Sequence, residues 1–135
     1  MEQLDEACRT VVDLVDGAIA CAVVELETGT ILGLHDTAQS TQTLNEAVAA
    51  ATIDMFRGPH IVRIEELIRT HRGIQENDNR DFHEVHISSA NNFHFAKVIK
   101  DGRAVLMLVT KRSTNVGMGW AQMKSVIPDV EPLVL

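Results

Sequence analysis

Leu4, Ala7, Cys8, Val11, Val12 and Val15 recur at helical spacing, so Gln3 to Val15 is expected to form an amphipathic helix. Asp16-Gly17 closes it, glycine being suited to a left-handed cap. Ala18 to Leu26 is a nearly unbroken apolar run of strand length, the pattern of a central strand covered on both faces. Glu27-Thr28-Gly29-Thr30 is turn chemistry, and Thr30 to Leu34 reads as a second short strand. The two predict a hairpin.

Polar residues from His35 to Thr41 lead into a long helical region with two apolar sides. Leu44, Ala47, Val48, Ala51 and Met55 form one stripe, and Ala49, Ile53 and Phe56 fall roughly opposite. A helix apolar on two sides has its own sheet to cover and something else besides. Gly58-Pro59 interrupts the pattern: Gly58 can cap the first segment, and Pro59 suits the first position of a second. That segment runs to about His71, with Ile61, Ile64 and Ile68 on one stripe. Glu65 and Arg69 stand four apart, in the favourable order for a surface pair.

Gly73 to Asp81 reads as a polar loop. Phe82 to Ser88 alternates, with Val85 and Ile87 on one face and Glu84 and His86 on the other. Asn92 to Ile99 is the next strand, and Asp101-Gly102 signals a tight turn into the apolar run Ala104 to Thr110. Val116, Trp120, Met123 and Ile127 then mark a closing helix stopped by Pro128. The order is α-β-β-α-β-β-β-α in one domain spanning residues 1–135. The two most apolar strands belong at the centre, which gives an α+β fold with a five-stranded antiparallel sheet ordered 2-1-5-4-3. The first and last helices cover one face and the middle helix the other.

Composition narrows the partners. Nineteen acidic residues against twelve basic leave a net charge of −7, which repels phosphate backbones and anionic lipid. Nucleic acid and direct membrane insertion are therefore not expected; the longest apolar run, Ala18 to Val24, is far short of a span. The acidic N-terminus lacks the basic and apolar regions of a signal peptide, and no CxxC occurs. A reducing cytoplasm with Cys8 and Cys21 as free thiols is the expected setting.

No catalytic, cofactor-binding or metal-binding residue emerges. His83-Glu84-Val85-His86 places two histidines three apart, on opposite faces of a strand, where they cannot share a metal. His94 lies across the hairpin near His86, leaving only an adventitious metal site to consider. Cys21 and Cys8 sit in buried patterns as core filler rather than as reactive thiolates. Asn115-Val116-Gly117-Met118-Gly119 follows a strand and opens a helix, but the phosphate-binding glycine patterns are incomplete. Close helix–sheet packing explains its glycines better. Arg112 reads as a solvated loop-end charge, Trp120 as a core or interface anchor, and Glu65-Glu66 as solvation.

Three stretches together carry a resemblance. They are Asp16-Gly17-Ala18-Ile19-Ala20-Cys21-Ala22-Val23-Val24; Glu27-Thr28-Gly29-Thr30-Ile31-Leu32-Gly33; and Phe95-Ala96-Lys97-Val98-Ile99-Lys100-Asp101-Gly102, continued by Val105 to Thr110 and Asn115-Val116-Gly117. In order and spacing the chain resembles the roadblock family of dynein light chains and bacterial GTPase regulators, which has a profilin-like fold. The Gly58-Pro59 break and the extra helical stretch depart from that family's shorter pattern. The resemblance implies a homodimer that pairs its third strands and apposes its middle helices. It also implies a protein partner, often a small Ras-like GTPase, and a bacterial regulator or scaffold without chemistry of its own. Certain bacterial members activate a GTPase by ordering the partner's own catalytic groups.

The residues point the same way. Phe82 to Ser88 is an edge strand in the expected order, and an unprotected edge tends to find a partner. Ile53 and Phe56 give the middle helix a side that a monomer leaves wet. The expected interface comprises Ala49, Ile53, Phe56, Val85 and Ile87. The outward residues Asn45, Glu46, Asp54, Arg63 and Glu66 are mixed in charge, which suits another folded surface. The alternative is a small-ligand sensory module, which requires a concave apolar pocket with a few convergent polar groups.

Overall fold

A computed structural model describes residues 2–72 and 82–135. The stretch Gly73 to Asp81, expected as a loop, lies outside them. The elements run α1 (Glu2–Leu14), β1 (Ala18–Glu25), β2 (Ile31–Asp36), α2 (Gln42–Arg57), α3 (Pro59–Arg72), β3 (Glu84–Ser88), β4 (Asn92–Ile99), β5 (Ala104–Lys111), α4 (Val116–Ser125) and α5 (Ile127–Val130). The strands form one antiparallel sheet in the order β2-β1-β5-β4-β3, as the apolar pattern predicts.

Alternation along the two central strands divides the core. Cys21 and Val23 of β1 stand beside Leu108 and Leu106 of β5 and face α1, α4 and α5. Leu4, Cys8, Val11, Met123 and Val130 complete that larger core, where each fully buried side chain contributes roughly 1.5–3 kcal/mol. On the other face Phe56 of α2 packs with Leu26, Ala96 and Val105 in a smaller cluster. Close approach fixes Gly33 and Gly17. At Gly33 in β2 a Cβ would lie 2.6 Å from Leu4 Cβ and 2.9 Å from its carbonyl carbon. At Gly17 (φ 83°) it would strike Thr114 Oγ1, which donates to the Asp16 carbonyl at 2.8 Å.

The break between α2 and α3 follows from Gly58 and Pro59. The Gly58 N–H donates to the Asp54 carbonyl at 2.9 Å, its ψ of 154° turns the chain, and Pro59 opens α3. A Cβ at Gly58 would lie 2.5 Å from that Asp54 oxygen.

Three local expectations need correction. In α3, Glu65 and Arg69 are buried (0% and 7% exposed) and Ile64 is exposed, because the inward face runs Ile61, Glu65, Ile68. Glu65 is thus neither a solvating residue nor half of a surface pair. The closing helix is two helices: α4 ends at Ser125, and Pro128 sits in the first turn of α5, where its missing N–H is not needed. The Asp101-Gly102 turn extends to three consecutive left-handed residues, Lys100 (φ 53°), Asp101 (φ 53°) and Gly102 (φ 89°). Glu131 clasps it: Oε2 accepts from the Lys100 N–H at 2.6 Å, and the Glu131 carbonyl accepts from Lys100 Nζ at 3.0 Å.

Candidate protein-interaction surface

The sheet has two edges, and they are finished differently. At β2, Asp5 Oδ1 of α1 accepts from the Leu34 N–H at 2.8 Å, so a side chain occupies a position another strand would need. At β3 the hydrogen-bond parity fixes which groups face outward. The His83 carbonyl accepts from the Val98 N–H at 2.8 Å, and Val85 and Ile87 pair with Ala96 and His94. His83, Val85 and Ile87 therefore turn their backbone groups to β4, and Glu84, His86 and Ser88 turn theirs outward.

The side chains of β3 split as their alternation predicts. Val85 is half-buried against the smaller cluster on the α2 face, and Ile87 is exposed on that face. On the other face the His86 ring lies 5.4 Å from Phe93 and 5.1 Å from Phe95, whose ring meets Trp120 edge-on at 5.1 Å. Glu84 Oε1 stands 2.7 Å from Lys124 Nζ and 3.6 Å from Lys97 Nζ. The Lys124 hydrogen bond, foremost, holds the Glu84 carboxyl below the usual carboxylate range.

Burial along the middle helix differs from the expectation. Phe56 is fully buried (0%) and Ala49 and Thr52 nearly so, while Leu44 (53%) and Val48 (38%) are exposed together with Ala47 and Ala51. The two stripes exist, but Ala49 and Phe56 face the chain's own sheet. Ala49 and Phe56 are thus core residues; Ile53 is half-buried at the margin. Leu44 and Val48 are solvent-exposed at the mouth of a cavity between α2 and the sheet. Asn45 is half-buried, and Glu46, Asp54, Arg63 and Glu66 are exposed as expected.

Beneath the N-terminal half of α2 lies an apolar cavity of about 390 Å³. Ala20, Ala22, Met107 and Val109 form its floor, and Leu44 and Val48 its roof. Its polar groups have local commitments. Asp36 accepts from the Ala38 and Ser40 N–H groups at 2.9 and 3.0 Å, and Asn92 Nδ2 donates to the Thr110 carbonyl at 3.2 Å. His94 Nε2 lies 3.3 Å from Ser89 Oγ. Burial, and secondarily the charge of His86, push the His94 pKa down. His94 stands opposite Ile87 and not His86, so the two imidazoles project from opposite faces, and the adventitious metal site falls away.

The other candidate groups are committed locally. Cys8 and Cys21 are both buried, and a hydrogen bond with Cys8, then burial, raises the Cys21 thiol well above its ordinary value. Asn115 Oδ1 accepts from the Met118 N–H at 2.9 Å, capping α4 with the chain's own side chain. A Cβ at Gly119 would stand 3.1 Å from the Phe95 ring, so close packing explains that glycine; Gly117 has no such neighbour. Arg112 donates to the Ser89 carbonyl at 2.7 Å, with its guanidinium 4.8 Å above the Phe93 ring.

No protein-family model matches the sequence, and no curated protein sequence matches it. Solved structures do. A Roadblock/LC7 domain from Streptomyces avermitilis superposes with a TM-score of 0.69 at 17% identity, covering 97% of each chain. Myxococcus xanthus MglB gives 0.72 at 13%, covering 97% of this chain and 94% of its own. Acanthamoeba castellanii profilin II gives 0.57 at 11%, covering 100% and 98%. Sheet order, helix placement and these likenesses agree that the chain has the Roadblock/LC7 fold, of profilin-like architecture.

Proposed function

We propose that the protein is a non-enzymatic, dimeric regulator or scaffold whose partner is a small Ras-like GTPase. The observation that supports this is the asymmetry of the sheet: β2 is blunted by Asp5, whereas among the described residues nothing pairs with the outer edge of β3, beside the exposed end of α2. A second copy added across β3 makes one ten-stranded sheet with both α2 helices on the same side. Leu44 and Val48, exposed at the mouth of the cavity, then offer an apolar contact, and Glu46 and Asp54 line the groove on the other flank of α2. Self-association has a counterpart among similar folds, since one MglB is described with tetrameric arrangement.

Charge supports a protein partner over a nucleotide. The open groove between the β1–β2 turn and α2 is lined by Asp5, Glu27, Glu46 and Asp54, which repel phosphates. The GTPase would therefore be recognised through its folded surface, and any effect on hydrolysis would come from repositioning the partner's own groups. We place the protein in a bacterial cytoplasm; among the described residues no helix is long and apolar enough to cross a membrane.

The test is calorimetry with GTP alone, followed by capture of host GTPases loaded with GDP or a GTP analogue. No heat with GTP and nucleotide-dependent capture are expected; tight GTP binding by the isolated protein contradicts the reading. The cavity under α2 favours one second reading, a small apolar ligand held there. Native mass spectrometry of the freshly purified protein distinguishes it, since a bound small molecule adds a discrete mass.

A further inference from the structure

We infer that two copies of the chain pair through β3 about a two-fold axis at His86, and that this brings the two His86 imidazoles together so that acid loosens the dimer. The inference rests on the dimer proposed above and specifies its register and its response to pH. Across a two-fold antiparallel junction, residues with outward backbone groups must pair with one another. On β3 these are Glu84, His86 and Ser88. An axis at His86 pairs Glu84 with the partner subunit's Ser88 and His86 with the partner subunit's His86, on both sides. All three outward residues are satisfied, giving six inter-strand hydrogen bonds. An axis at Val85 or Ile87 pairs only two of the three and gives four. The register at His86 makes two more inter-strand bonds than either alternative and is therefore preferred.

That register sets two imidazoles on adjacent strands, with Cα atoms about 5.5 Å apart. Their surroundings decide the sign of the pH effect. On its own strand His86 has Ser88 Oγ at 3.5 Å and, two residues away, Glu84. Glu84 is held by Lys124 from α4 and Lys97 from β4, so its charge is already matched. Arg112, over the Phe93 ring that His86 also touches, adds a further positive charge, and His94 lies on the far face of β4. The set Glu84, Lys97, Lys124 and Arg112 carries −1 and +3, a net of +2 in each copy with the imidazole neutral. Protonating His86 in both copies places two more positive charges across the axis, where among the described residues the neighbouring carboxylate, Glu84, is already held by two lysines. Association therefore weakens as acid adds protons to the imidazole pair.

The experiment is sedimentation of the full chain over a dilution series at pH 7.5 and 5.5, beside His86→Gln. The dimer Kd is expected to rise about five- to tenfold at pH 5.5 in the parent chain and to stay level in His86→Gln. An equal rise in His86→Gln, or no rise in the parent, overturns the inference while leaving the dimer standing. A monomer at both pH values overturns the dimer as well. Oxidative crosslinking reads the register independently: His86→Cys is expected to form an inter-subunit disulfide faster than Ile87→Cys. The reverse order places the axis elsewhere and overturns the inference.

Discussion

Replacing Phe56 by alanine tests which side of α2 faces the sheet. The ring is wholly buried against Leu26, Ala96 and Val105, so its removal exposes or empties nearly its full surface. An aromatic side chain buries at least ~150 Å², and at ~25 cal/mol per Å² this amounts to about 4 kcal/mol. Core Phe→Ala changes span about 3–5 kcal/mol. For a chain of this size such a loss lowers Tm by roughly 10–20 °C. Phe56→Leu keeps most of the volume and is expected to lose no more than about 1.5 kcal/mol. The assay is urea unfolding followed by circular dichroism and by Trp120 fluorescence, at two protein concentrations so that association and protomer stability separate. Leu44→Asp, on the exposed stripe, should change protomer stability by about 0.5 kcal/mol or less while weakening partner capture. If Phe56→Ala costs under about 1 kcal/mol, or if Leu44→Asp unfolds the chain as severely, the assignment of the two stripes is wrong.

Other perturbations probe separate parts of the account. Asp5→Ala removes the acceptor for the Leu34 N–H; a loss of about 1 kcal/mol and larger assemblies through the unguarded β2 edge are expected by denaturation and light scattering. Glu131→Ala frees the left-handed turn at Lys100 and Asp101, with an expected loss of about 1–3 kcal/mol and faster amide exchange in the β4–β5 turn. Glu84 has a folded pKa below its unfolded value, so its contribution is present above about pH 4.3 and is lost as pH falls through the folded pKa. Because its side chain is partly exposed, Glu84→Gln should lose under about 1 kcal/mol at pH 7, with the gap closing in acid unfolding curves below about pH 4. Cys21 should react slowly with a thiol reagent in the native protein and rapidly in urea; fast native labelling would contradict its placement in the core.

The sequence carried the architecture further than the surface. Two continuous apolar runs, Ala18 to Leu26 and Ala104 to Thr110, could only be central strands, and placing them side by side forced the order 2-1-5-4-3. Gly58-Pro59 announced the helix break because both residues act through local backbone geometry. The facing of α2 was not legible in the same way. Both of its stripes are apolar, and the choice between them depends on tilt: Phe56 meets the sheet while Leu44 is lifted above the cavity. Glu65 and Arg69 misled for a related reason, since a charged pair four apart looks the same on either side of a helix. Alternation on β3 correctly divided Val85 and Ile87 from Glu84 and His86. The hairpin register, which pairs His94 with Ile87, was needed to separate the two imidazoles.

Light scattering of the chain and of His86→Pro at micromolar concentration decides whether a dimer forms edge to edge through β3. Proline at His86 removes an outward N–H while leaving the bonds between β3 and β4 in place. A mass near twice 14.9 kDa is expected for the parent chain and near 14.9 kDa for the variant. A parent chain of single mass, or a His86→Pro variant that remains fully dimeric, would contradict it.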